Sequence, residues 1–170
     1  MKVRTLLIGL SLFSVVSTLH AEVRVTMYST SADHKKIGEV IFKNKRHGLL
    51  ILPNLTDLPP GPHGFHVHDH PSCEMHAQAA GSHYDPNHTN KHLGPYRTGG
   101  HLGDLPVLFV NKNGVAKKPL FAPHLTENDL YGHALMIHAG GDNYSDTPKP
   151  LGGGFERIAC GVIEKSTATK

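Results

Sequence analysis

Between residues 22 and 163, short apolar runs recur, separated by Gly, Pro, Asn and Asp. Residues 22–28 alternate strictly, with Val23, Val25 and Met27 on one face. Further runs cover residues 38–43, 49–52, 64–68, 105–110, 115–120, 133–138 and 157–163. Strands of this length bounded by turn residues predict an eight-stranded all-β sandwich or barrel. Asn111-Lys112-Asn113-Gly114 predicts a tight hairpin turn between the fifth and sixth runs. The one helical fragment expected is 126–131, where Thr126 can cap a single turn. Residues 69–103 and 140–156 carry no strand signal. Loops that long in a compact domain are usually functional.

Composition narrows the class. The chain has 170 residues, 38% hydrophobic and 18% charged, with 18 Gly, 12 Pro and no Trp. That supports one domain with a real core, and excludes a disordered or a fibrous chain. A net charge of +3, with no basic block, gives no reason to expect a nucleic-acid partner. Residues 1–21 set Lys2 and Arg4 before an apolar stretch shorter than a membrane span, and end on Ala21. This pattern is that of a secretory signal peptide cleaved after Ala21, leaving 22–170 as the mature domain with no membrane attachment. The alternative is an uncleaved anchor. Export implies an oxidising compartment, where Cys73 and Cys160 can pair only with each other. A bridge closing that loop would contribute roughly 4 to 5 kcal/mol on the chain-entropy model; two buried thiols are the alternative.

The unusual count is 15 His, nearly matching the 17 Lys+Arg. His66 and His68 lie two apart on an expected strand, so both imidazoles leave one face while Phe65 and Val67 leave the other. His83, His92, His101 and Asp104 follow at intervals of nine, nine and three, a spacing that suits a loop wrapped round an ion. Their ligand types suit zinc. His138 ends another expected strand and offers one more imidazole.

Several strings carry a family resemblance. They are Gly64-Phe65-His66-Val67-His68, Ala80-Gly81-Ser82-His83-Tyr84-Asp85-Pro86, Lys91-His92-Leu93-Gly94-Pro95, Gly100-His101-Leu102-Gly103-Asp104-Leu105 and Arg157-Ile158-Ala159-Cys160-Gly161-Val162-Ile163. Together they resemble copper/zinc superoxide dismutase. The stretch from Gly140 to Gly154 is similar to the bacterial periplasmic branch. The resemblance implies a Greek-key β-barrel with two long functional loops, and dismutation of superoxide to oxygen and hydrogen peroxide in the periplasm. It implies copper on His66, His68, His83 and His138, and zinc on His83, His92, His101 and Asp104, so that His83 bridges the two ions. It further implies that Arg157 attracts the anion and that Cys73–Cys160 is a disulfide. Asp142, with Asp146 as the fallback, would link a copper histidine to a zinc histidine. His63 would be structural.

Two departures from the family pattern bear on function. Residues 73–83 form a short loop with no lysine and one acid, Glu74, so steering leans on Arg157 and Lys149, and a homodimer is left open. Phe155 stands where a further glycine is usual, and is expected to pack, the alternative being that it lines the approach to Arg157. His34, His47, His70, His76, His88, His124 and His133 read as surface groups, with His70 and His76 the best candidates for an auxiliary metal contact. The competing functions are a copper-delivery module without turnover and a zinc hydrolase. The first would be expected to lose a copper ligand or the arginine. The second needs an open zinc position with a base.

Overall fold

The computed structural model describes residues 22–165; the expected signal peptide, 1–21, lies outside them. The strands are β1 (Glu22–Ser29), β2 (Lys36–Lys45), β3 (Gly48–Leu55), β4 (Gly61–His63), β5 (Phe65–His68), β6 (Leu108–Val110), β7 (Leu120–Ala122), β8 (His133–His138) and β9 (Arg157–Ile163). Seven of them form one antiparallel sheet in the order β5-β8-β9-β1-β2-β3-β7, and β4 pairs with β6 as a separate ribbon. The sheet curls so that residues from both ends meet in one core, with Val25, Phe42, Ile51, Phe65, Leu135 and Ile137 among its members.

Alternation makes β1 half-buried, as its sequence predicts, with Val23, Val25 and Met27 inward. On β2 the inward series slips from Ile37 to Val40 and Phe42, because the register with β1 shifts between Met27 and Tyr28. Such a bulge inserts one residue on one strand and bends it. Gly38 allows it: its φ is +134° and a Cβ there would lie 2.1 Å from the Asn54 carbonyl oxygen.

Nine short strands stand where eight were expected. The 64–68 run is the second part of a broken pair, β4 and β5. No ladder forms over 115–119: Ala116 makes one isolated bridge to Leu55, and the chain reaches β7 only at Leu120. Lys117 and Lys118 are exposed, and Pro119 has no N–H to donate. The Asn111 turn does form, closed by Gly114 N–H to Asn111 O at 3.0 Å, but it leads into this irregular stretch and not into a hairpin. The expected helical turn is a 3₁₀ turn, Glu127–Asp129. Thr126 caps it, its N–H and hydroxyl donating to Asp129 Oδ2 at 2.8 and 2.6 Å.

β8 is buried on both faces past its first residue, which is why it reads as a continuous apolar run. Leu135 and Ile137 enter the main core. Ala134 and Met136 pack on the other side against Ala77, Ala80 and Cys160. That second cluster lies beneath the 69–103 loop, which the Cys73–Cys160 disulfide joins to β9 across a Cα–Cα distance of 5.8 Å. Fold and bond together bring the loop against the ends of β5, β8 and β9.

Candidate metal centre

β5 is buried at all four residues. Phe65 and Val67 fill the core, so His66 and His68 leave the opposite face together. The long loop returns to this strand: Val67 N–H donates to Gly103 O at 2.8 Å, Tyr84 N–H to Val67 O at 2.9 Å, and Gly103 N–H to Tyr84 O at 2.8 Å. These bonds bring His83 opposite His68 and Asp104 opposite His66. Gly103 must be glycine for this approach, since its Cβ would sit 2.3 Å from Val67 O.

Six imidazoles and one carboxylate gather here. His83 is at the centre, its ring centroid 3.9 Å from His66, 5.0 Å from His68, 5.2 Å from His92, 5.4 Å from His101 and 6.0 Å from His138. On one side, partners fix which nitrogen each ring leaves free. His68 Nδ1 donates to Gly81 O at 3.1 Å, and His138 Nδ1 to Phe155 O at 3.3 Å. Their Nε2 atoms then face each other 3.4 Å apart as two lone pairs. His66 gives Nε2 to Asp142 Oδ2 at 2.8 Å and leaves Nδ1 buried without a partner. Lone pairs converging in a dry site repel unless a cation lies among them. These three rings and His83 form a set that could hold a metal ion.

On the other side, Asp104 Oδ1 faces three Nδ1 atoms, at 3.1 Å from His83, 3.0 Å from His92 and 3.5 Å from His101. Its Oδ2 accepts Gly94 N–H at 3.0 Å. Nδ1 of His92 and of His101 are buried without hydrogen bonds. His66, His83, His92 and Asp104 also bring one ligand atom each within 4.8 Å of one another, with His66 in the place expected for His101. His101 Nδ1, idle and 3.5 Å from the shared carboxylate oxygen, stands beside this group as well. Three imidazoles and a carboxylate make a closed four-ligand set of the type zinc takes.

Asp142 joins the halves, with Oδ2 on His66 and Oδ1 accepting His92 Nε2–H at 2.7 Å. Asp146, the fallback, instead accepts the His92 backbone N–H at 2.9 Å. Gly152 leaves room for this link, since its Cβ would lie 1.9 Å from Asp142 Oδ1. Arg157 donates Nη1–H to Ala77 O and Nη2–H to Gly81 O, both at 2.5 Å. The Gly81 carbonyl therefore holds both Arg157 and His68. Sequence reasoning did not find these two carbonyls, because no side chain marks them; Ala77 at φ +63° shows itself only in the backbone. Tyr144 was also missed: its hydroxyl accepts Val107 N–H at 2.9 Å, and Gly94 makes room for its ring. His63 is buried between the Pro59 and His138 carbonyls. His70 and His76 join neither group of possible ligands.

Charge differs between the two sides. Burial, then the neighbouring His83, holds His66 and His68 well below the usual histidine range, and the same causes bring His138 down to about 4. His92 goes the other way: burial opposes its charge, but the Asp104 and Asp142 carboxylates against its two nitrogens push it up to about 9. Burial would raise Asp104, yet the surrounding His101, His83 and His92 hold it far below the carboxylate range.

A curled β-sandwich carrying two overlapping groups of buried possible ligands has the makings of a metal-binding protein. A sequence model described as copper/zinc superoxide dismutase (SODC) matches residues 36–163. "Superoxide dismutase [Cu-Zn]" of Legionella pneumophila is 50% identical over 159 residues, covering 94% of this chain and 96% of that one. The Cu/Zn superoxide dismutase from Brucella abortus superposes with TM-score 0.80 at 46% identity, over 85% of this chain and 100% of that one. The solution structure of the monomeric copper, zinc superoxide dismutase from Salmonella enterica gives 0.73 at 48% identity, over 85% and 100%. The chain belongs to the copper/zinc superoxide dismutase family.

Proposed function

We propose that this cluster dismutes superoxide in the periplasm, with copper held by His66, His68, His83 and His138 and zinc by His83, His92, His101 and Asp104. The observation that carries the reading is the central His83, with Nδ1 on Asp104 and its other nitrogen left for the His66–His68–His138 side. When bound, copper supplies one-electron chemistry by alternate reduction and reoxidation, so that two superoxide anions and two protons give oxygen and hydrogen peroxide, while zinc supplies charge only.

The chain's own groups do the rest. Arg157 places a fixed positive charge at the end of β9, beside His68 and the Gly81 carbonyl, where an arriving anion meets it. His83 can hold a proton at Nε2 while Nδ1 keeps its carboxylate partner. Asp142 fixes the Nε2–H tautomer of His66 and His92, aiming both Nδ1 atoms inward. Phe155 O does the same for the opposite tautomer of His138.

A copper-delivery module without turnover is the second reading, disfavoured because Arg157 and the full histidine set are present together. Metal analysis with a superoxide-removal assay separates them: about one copper and one zinc per chain with dismutation is expected, and the same metals without dismutation would overturn the lead. The Cys73–Cys160 bond supports export. Residues 1–21 are proposed as the cleaved leader, so the exported protein should begin at Glu22 by N-terminal sequencing. A homodimer is proposed, bordered by the short 73–83 loop; light scattering at the protomer mass would exclude it.

A further inference from the structure

Phe155 is the odd residue in the segment that closes over the site. Its φ is +60°, a left-handed conformation that favours glycine and strains a bulky side chain. Burial does not compensate, since the residue is 65% exposed. The expected packing role is thus met only in part: the ring covers Gly140, where a Cβ would lie 2.4 Å from Phe155 Cδ2, and leaves most of itself in solvent. What the ring does carry is a cation. Lys149 Nζ stands 4.2 Å from its centroid, well within the range in which an ammonium is attracted to an aromatic face.

The backbone fixes where this pair sits. Phe155 O accepts the His138 Nδ1 hydrogen bond. Gly154 lies against the His138 ring, a Cβ there reaching within 3.0 Å of Cγ. The Lys149 side chain runs along Gly153, its Cβ and Cδ 3.7 and 3.9 Å from where a Cβ on Gly153 would be. The ammonium is therefore held, through Phe155, on the segment that touches His138, with Phe155 two residues before Arg157. Along residues 140–157, the segment that closes over His138, Lys149 and Arg157 are the only Lys or Arg side chains.

We propose that Phe155 is a positioning residue: its exposed ring holds the Lys149 ammonium at the mouth of the site, where it steers the anionic substrate toward Arg157. This rests on superoxide being the substrate. A lysine free on the surface spreads its charge over many rotamers; one held over a ring keeps it in one place, and a fixed charge at a cleft mouth raises the encounter rate.

The test compares Phe155→Leu, Phe155→Trp, Lys149→Gln and the double variant Phe155→Leu/Lys149→Gln in the metal-loaded enzyme, following kcat/KM against ionic strength. Leucine keeps the strained backbone and removes the aromatic face, whereas tryptophan keeps the face. Phe155→Leu and Lys149→Gln should each lower kcat/KM about two- to threefold at low salt and flatten its salt dependence, and both should converge with the parent at high salt. Phe155→Trp should retain the parent slope, and the double variant should match Lys149→Gln alone. A second readout needs no turnover: in the metal-free protein, the Lys149 ε-methylene protons should show an upfield ring-current shift in NMR that Phe155→Leu abolishes. An active parent enzyme with an unchanged slope in Phe155→Leu, additive effects in the double variant, or no ring-current shift would each overturn the proposal alone. A fully metallated parent without dismutation would overturn the reading of the site and this proposal with it.

Discussion

The two halves of the histidine cluster stand on different foundations. His66, His68 and His138 project from β5 and β8, strands whose intervening residues Phe65, Val67, Leu135 and Ile137 are wholly buried in the core. Their positions are fixed by apolar packing. His92 and His101 project from a loop with no strand of its own, shaped by carboxylates: Asp146 on His92 N–H, Asp142 on its ring, Asp104 on Gly94 N–H and Asp85 on Asn90 N–H. One half is preorganised by burial and the other by charge. Burial and charge fail under different conditions, so the halves should be separable by experiment.

The largest contrast should come from pH in the metal-free protein. On the strand side the folded-state values of His66, His68 and His138 are depressed, His138 to about 4, against an ordinary value of 6.5. Above 6.5 these rings are neutral in both states and cost nothing. Below it the unfolded chain takes up protons that the folded site refuses, and stability falls by about 1.4 kcal/mol per pH unit for each such ring. On the loop side His92 is raised to about 9, so its contribution is complete below 6.5 and is lost as pH rises through 9. Thermal melts of the metal-free protein should therefore peak near pH 6.5, with the acid limb steeper because these three rings act together with His83, which burial also lowers. A flat profile from 4 to 9 would break the comparison.

Phe65→Ala comes next. It opens a cavity beneath His66 and should cost about 3 to 5 kcal/mol in denaturant unfolding of the metal-free protein. Apart from Cys73, whose disulfide joins the loop to β9, the loop side rests on no comparable residue, so no other loop substitution remote from the ligands should match that loss.

The same division explains what could be read from the chain. Strand-borne features were legible because alternation writes them twice, once in the apolar residue and once in the ligand beside it: Phe65 and Val67 announce the face of His66 and His68. β1, β8 and β9 fall within one residue of their runs for that reason. The loop offered no period. Its histidine spacing suggested an ion, and the family resemblance supplied the grouping and put Asp142 ahead of Asp146; the spacing alone carried no such order, because it depends on which carboxylate reaches two rings across 50 and 76 residues of chain. The Ala77 and Gly81 carbonyls that hold Arg157 were illegible, since every residue has a carbonyl. The failed strand at 115–119 has the opposite cause: Val115 and Leu120 imitate a strand across Pro119, which cannot pair.

His83 belongs to both halves, and replacing it should disturb both. His83→Ala should lower kcat/KM at least about 100-fold, the scale of a lost proton-transfer group, and should weaken both metals in chelator competition. Loss confined to one metal would mean that the halves do not share this residue in function.

Asp142→Asn gives the smallest effect and the sharpest test. The amide keeps one acceptor oxygen and puts an NH₂ group where the second oxygen was, so only one of the two Nε2–H groups keeps its partner. If the halves were equally dependent on this link, copper and zinc would weaken alike. They are not built alike: His66 stays in place on β5 with Phe65 and Val67 beneath it, whereas His92 loses one of the few bonds that orient its ring on a loop. Zinc affinity should therefore fall about ten- to 100-fold, the usual scale for losing an orienting carboxylate, while copper affinity changes by less than about threefold. Competition titrations with each metal against a colorimetric chelator measure both numbers, and equal losses would show that the strand half needs the carboxylate as much as the loop half does.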